Sequence, residues 1–107
     1  MAKGPEVGLC TGKDCRKADG FRTIERELGG SCDVTELPCL DVCHGAVVVL
    51  DVRSDTPVVV ERVRNRAMAI ELVDHVTEGT ELSSRLRKRV LSGSKRAKAR
   101  RRIARAL

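Results

Sequence analysis

Leu37-Pro-Cys-Leu-Asp-Val-Cys-His-Gly45 runs directly into Ala46-Val-Val-Val-Leu50. The chain is organised around this stretch and an earlier counterpart, Cys10-Thr-Gly-Lys-Asp-Cys15. Four cysteines stand in two pairs, Cys10/Cys15 with four residues between them and Cys39/Cys43 with three. A pair that close can clamp one metal from a single loop, and two such loops can close a four-thiolate site. The residues before position 80 read as the scaffold that brings the two loops together.

Working outward, Val7-Gly-Leu-Cys10 reads as the end of a first strand that enters the first cysteine loop. Phe21, Ile24 and Leu28 then recur at helical spacing, with Asp19 as the expected N-cap and Gly29-Gly30 as the expected stop. Ser31 to Leu37 alternates like a strand and is ended by Pro38, which cannot continue a paired ladder. Beyond the second loop, Ala46–Leu50 and Pro57–Val60 are β-branched runs joined by the polar turn Asp51-Val-Arg-Ser-Asp-Thr56. Met68, Leu72 and Val76 form an apolar helical face with Gly79 as C-cap. The order is strand, helix, strand, hairpin, helix, which gives an α/β domain with a small mixed sheet and flanking helices. A strand–helix–strand start makes a right-handed parallel crossover, so the first two strands run the same way. Open sheets of this kind present ligands beyond the C-terminal ends of their strands. Cys10 and Cys39 stand at or just past two such ends, so the topology predicts both loops at one edge.

The totals limit the choices. At 107 residues there is room for one small domain, with a single aromatic, Phe21, so the core is aliphatic. No run of 18 apolar residues exists, so no membrane span is expected. The start, Met-Ala-Lys-Gly-Pro-Glu, lacks the apolar stretch of a secretory signal, which points to the cytoplasm. Five cysteines in that reducing compartment indicate metal or redox chemistry rather than disulfides. The net charge of +6 hides a split. Residues 1–81 carry 10 Lys/Arg against 15 Asp/Glu, whereas residues 82–107 carry 11 Lys/Arg and no acid.

Thiolate sulfur suits both zinc and iron–sulfur clusters. Structural zinc sites favour tighter turns, so intervals of four and three lean towards a two-iron cluster and leave zinc open. Such a cluster on four thiolates is an anion. Lys13, Arg16, Lys17 and the N-terminus of the following helix supply positive charge beside the first loop. Gly12 and Gly45 leave room for backbone N–H groups to approach the sulfurs.

The runs Cys-Thr-Gly-Lys-Asp-Cys-Arg-Lys at 10–17 and Cys-Leu-Asp-Val-Cys-His-Gly at 39–45, the second followed by a valine strand, resemble the thioredoxin-like two-iron two-sulfur ferredoxins. The resemblance covers roughly residues 6–79. It implies a thioredoxin-like [2Fe-2S] ferredoxin domain over residues 1–81, with Cys10, Cys15, Cys39 and Cys43 as cluster ligands. It also implies one-electron transfer between redox partner proteins, and often a homodimer. Ala46 stands where the family often has proline, which leaves the ligand set untouched.

Two residues near the site compete for roles. Cys32 starts the second strand, and five or six extended residues put it roughly 15–20 Å from Cys39, so it reads as a small buried hydrophobe. His44 adjoins Cys43 and reads as a hydrogen-bond donor or surface residue. No serine–histidine–acid set, phosphate loop or paired carboxylates occur, which argues for a carrier and against an enzyme. In residues 82–107, Leu82, Leu86, Val90, Ile103 and Leu107 recur at helical spacing around a Ser92-Gly93-Ser94 break. This basic C-terminal tail is expected to be helical or disordered. Its like charges favour a mobile, solvated form, and its cations suit nucleic acid, an acidic partner or an anionic surface. The rival reading of the whole chain is a structural zinc module whose basic tail binds nucleic acid.

Overall fold

The computed structural model describes residues 5–12, 16–17, 20–38, 40 and 46–107. Four strands, β1 (Glu6–Cys10), β2 (Asp33–Leu37), β3 (Ala46–Leu50) and β4 (Val58–Val63), form one mixed sheet in the order β2-β1-β3-β4. β1 and β2 are parallel, and β1–β3 and β3–β4 are antiparallel. Helices α1 (Phe21–Ser31), α2 (Arg66–Glu78), α3 (Ser84–Arg87) and α4 (Gly93–Ala106) complete the domain. Among the described residues, no helix is long and apolar enough to cross a membrane.

β3 shows why the sheet needs two covers. All five of its residues are buried, and successive side chains go to opposite faces. Ala46, Val48 and Leu50 join Val7, Leu9 and Val60 on one face, against Phe21, Ile24 and Leu28 of α1 and Met68, Ala69 and Leu72 of α2. Val47 and Val49 join Cys10, Leu37, Val52 and Val59 on the other, under Leu91 and under Ala99 and Ile103 of α4. A continuous valine run is the pattern of a strand buried on both sides.

The basic segment is therefore part of the packing. Val90 bridges to Val60, Leu91 N–H donates to Val59 O at 2.9 Å, and Arg100 Nε donates to Pro57 O at 3.1 Å. Leu86 of α3 is buried in the first core. Charge repulsion favours a mobile tail, and magnitudes explain why docking wins. Like-charge pairs four apart, such as Lys98/Arg102 and Arg101/Arg105, each cost about 0.2–0.5 kcal/mol, whereas burying Leu91 or Ile103 contributes about 1.5–3 kcal/mol apiece.

Local signals differ from expectation at two helix ends. Asp19 lies outside the described residues, and the N-cap of α1 is Gly20 with φ 84°. Gly29 and Gly30 do not end α1. The helix continues to Ser31, and Cys32 N–H closes its last turn on Leu28 O at 2.8 Å. A glycine ends a helix by taking positive φ, and neither does so here. The chain instead leaves at Cys32, which is extended, so that Asp33 can pair with Glu6. Gly79 does cap α2 in the left-handed region, and Asn65 Oδ1 caps its start by accepting from Met68 N–H at 2.9 Å.

Gly20 is required twice over. Its φ is positive, and a Cβ there would lie 2.1 Å from Arg64 O, a backbone atom that cannot step aside. Gly20→Ala is expected to destabilise the fold by about 2 kcal/mol or more, read as a lower urea midpoint. Ile103→Ala is expected to cost about 2–4 kcal/mol in the same assay, because α4 seals the second core. An unchanged midpoint for Ile103→Ala would mean that α4 is not docked in solution.

Candidate functional site

The parallel pairing of β1 with β2 makes Cys10 and Leu37 register partners, so both strands end at the same edge. The antiparallel pairing of Leu9 with Val48 puts the start of β3 there as well, and Val63, near the end of β4, pairs with Ala46. All four strands thus open onto one edge through the residues that flank the two cysteine segments.

The anchors of those segments interleave. The first leaves β1 at Thr11, whose N–H and Oγ1 both donate to Leu37 O, at 2.8 and 2.9 Å. It returns at Gly20, seated against the carbonyl of Arg64 just past β4. The second leaves β2 at Pro38 and returns at Ala46 in β3. Along the edge the attachment points run β2, β1, β3, β4, alternating between the second segment and the first. Cys10 stands at this edge, its side chain buried with Leu37, Leu40 and Val47, and its Sγ donates to Pro38 O at 3.6 Å.

Positive charge and strain collect at the same edge. α1 begins there with no side-chain cap and no acid in its first turn, so its N–H groups and partial positive charge are available. Arg16 and Lys17 are exposed in the first segment, and Arg16 N–H donates to Gly12 O at 3.0 Å. The β3–β4 register shifts between Ala46 and Val48, and Arg62, on the strand opposite, has φ 56°. A β-bulge of this kind bends a strand at a sheet margin. The far edge is tied by ordinary polar contacts. Thr35 Oγ1 and Arg53 both donate to Glu6, and those two bonds, Thr35 first, hold its carboxyl below the usual glutamate range.

Of the four expected ligands, the described residues include Cys10. Cys15, Cys39 and Cys43 lie outside them, as do Lys13, His44 and Gly45. Among the described residues, no group of three His, Cys, Asp or Glu side chains is close enough to hold a metal. No family model, curated protein or solved structure matches the chain significantly.

Cys32 stands apart. It precedes Asp33, which pairs with Glu6, whereas Cys10 pairs with Leu37, so the two cysteines are at opposite ends of the parallel pair. Four or more extended residues separate those ends by roughly 13–17 Å. Cys32 is buried in the first core, as expected of a small hydrophobe. Leu40 and Gly20 are site residues that the cysteine spacing did not point to. Leu40 is one of two aliphatic positions, with Val42, between Cys39 and Cys43, which was the available signal.

Burial pushes the Cys32 thiol above its ordinary range. A raised pKa favours the neutral thiol, so its contribution to stability is full below the unfolded value and is lost as pH rises through it and beyond. Native Cys32 is expected to resist alkylation at pH 8 and to react on unfolding in urea, as mapped by mass spectrometry. Rapid native alkylation at that position would contradict its burial.

Proposed function

We propose that the chain is a small electron carrier of thioredoxin-like fold. It holds one [2Fe-2S] cluster on Cys10, Cys15, Cys39 and Cys43 and passes single electrons between protein partners in a reducing, cytoplasmic compartment. The observation that carries this reading is that Thr11, Gly20, Pro38 and Ala46, which flank the two cysteine-pair segments, all lie at one edge of the sheet. The strand order β2-β1-β3-β4, with a parallel β1–β2 pair and α1 and α2 on one face, agrees with the thioredoxin-like arrangement.

The donor chemistry fits the cluster. Four thiolates complete its coordination, and its negative charge is matched by the open α1 N-terminus and the cations of the first segment. When bound, the cluster supplies a one-electron couple. The chain's own residues set the conditions. Leu37, Leu40 and Val47 exclude water around Cys10, and Thr11 fixes the root of its loop to β2. Arg16 and Lys17 offer charge to an acidic partner at the same edge.

Purified anaerobically, the protein is expected to show visible charge-transfer bands and about two iron and two acid-labile sulfide per chain. Serine at any of the four ligand positions should bleach or rearrange that spectrum, whereas Cys32→Ser should leave it intact. A colourless protein with one zinc and no sulfide would establish a structural zinc module instead. Loss of the bands on Cys32→Ser alone would overturn the ligand set.

A further inference from the structure

The proposed electron carrier has no use for α4's outer face. α4 is a helix of 14 residues with seven Lys or Arg and no acid. One side is consumed by docking, since Ala99 and Ile103 are buried on the sheet and Arg100 is bonded to Pro57 O. The other side exposes Lys95, Lys98, Arg101, Arg102 and Arg105. Four of these, Lys98, Arg101, Arg102 and Arg105, line a single shallow concavity. Their spacing of three and four residues makes one stripe along the helix.

We propose that this stripe binds the phosphate backbone of a nucleic-acid duplex without reading its sequence. Charge density selects the partner. From Lys95 to Arg105 the helix rises about 15 Å and carries five exposed cations on this side, roughly one per 3 Å, within twofold of the one charge per about 1.7 Å of a duplex. Arginine predominates in the stripe, and its planar fork matches phosphate oxygens. A lipid surface fits less well, because the apolar side that would enter the bilayer is already spent on Val47, Val49 and Val59. Unpaired bases fit less well too. The chain's one aromatic, Phe21, is buried in the core and offers no stacking platform.

The C-terminal half of α4 packs at the opposite end of the sheet from Cys10. Arg100, Ile103, Ala104 and Leu107 flank the β3–β4 turn at Val52–Pro57, and that turn follows Leu50, which pairs with Val7 at the start of β1. Cys10 is at the other end of the same strand.

The test is a titration of the full chain with a fluorescent 20-base-pair DNA duplex of arbitrary sequence, at several salt concentrations. It is repeated with the triple variant Lys95→Gln, Arg101→Gln, Arg105→Gln. The logarithm of affinity should fall with the logarithm of salt with a slope of about −4 or steeper. The variant should shallow that slope by about 2–3 and bind about tenfold or more weakly at low salt. Removing like charges should leave its thermal midpoint equal or higher, so weakened binding cannot be ascribed to unfolding. A wild-type slope shallower than about −1, or an unchanged slope in the variant, overturns the proposal. Equal competition by polyglutamate at matched charge overturns it in favour of an acidic protein. Equal binding to phosphatidylserine vesicles overturns it in favour of a membrane surface.

Discussion

The structure depends on one constraint, that β3 is apolar on both faces and central in the sheet. A half-exposed strand alternates, and this one does not, since Ala46, Val47, Val48, Val49 and Leu50 are all buried. One cover comes from α1 and α2, in the crossover and the return after the hairpin. The other comes from the C-terminal segment, where Leu91, Ala99 and Ile103 close over Val47, Val49 and Val59. Gly8 shows how tightly side chains of the flanking strands fill that face. A Cβ there would lie 2.7 Å from Leu37 Cδ1 and 3.2 Å from Val49 Cβ.

The same sheet order places the chemistry. A parallel β1–β2 pair and an antiparallel β3 bring three strand termini to one edge, and Gly20 ties the helix start to the end of β4. The edge is then supplied with what an anionic thiolate site requires: an uncapped helix N-terminus, exposed cations and apolar residues around Cys10. The opposite edge carries the Glu6–Thr35–Arg53 contacts and is structural. The proposed site thus lies at one edge, and side-chain polar contacts hold the other.

Much of this was legible in the residues. The helical spacing of Phe21, Ile24 and Leu28, the valine runs and Gly79 each state a local preference that the packing upholds. The parallel crossover follows from element order alone, and with it the shared edge for Cys10 and the loop after Leu37. Gly29-Gly30 misleads because glycine permits a helix stop without enforcing one, and strand pairing at Asp33 decides where the turn falls. The docking of α4 is hidden by charge, since eleven cations dominate any reading of residues 82–107 while Leu91, Ala99 and Ile103 do the packing. The valine run was the better clue, for it already required a second cover. Gly20 was illegible for another reason. Its role is a contact with Arg64, 44 positions away, which no local pattern encodes.

The order of the layers along the chain has a consequence for biosynthesis. α4 follows in sequence every element that it covers, so it emerges from the ribosome after all of them. Until it does, the hairpin of β3 and β4 has a finished face against α1 and α2 and a bare valine face towards solvent. Such a face is sticky, and the nascent domain carries it for as long as translation takes to deliver the final helix. The cations of α4 then arrive with the seal itself, so the covering step also turns an adhesive surface into a strongly charged one.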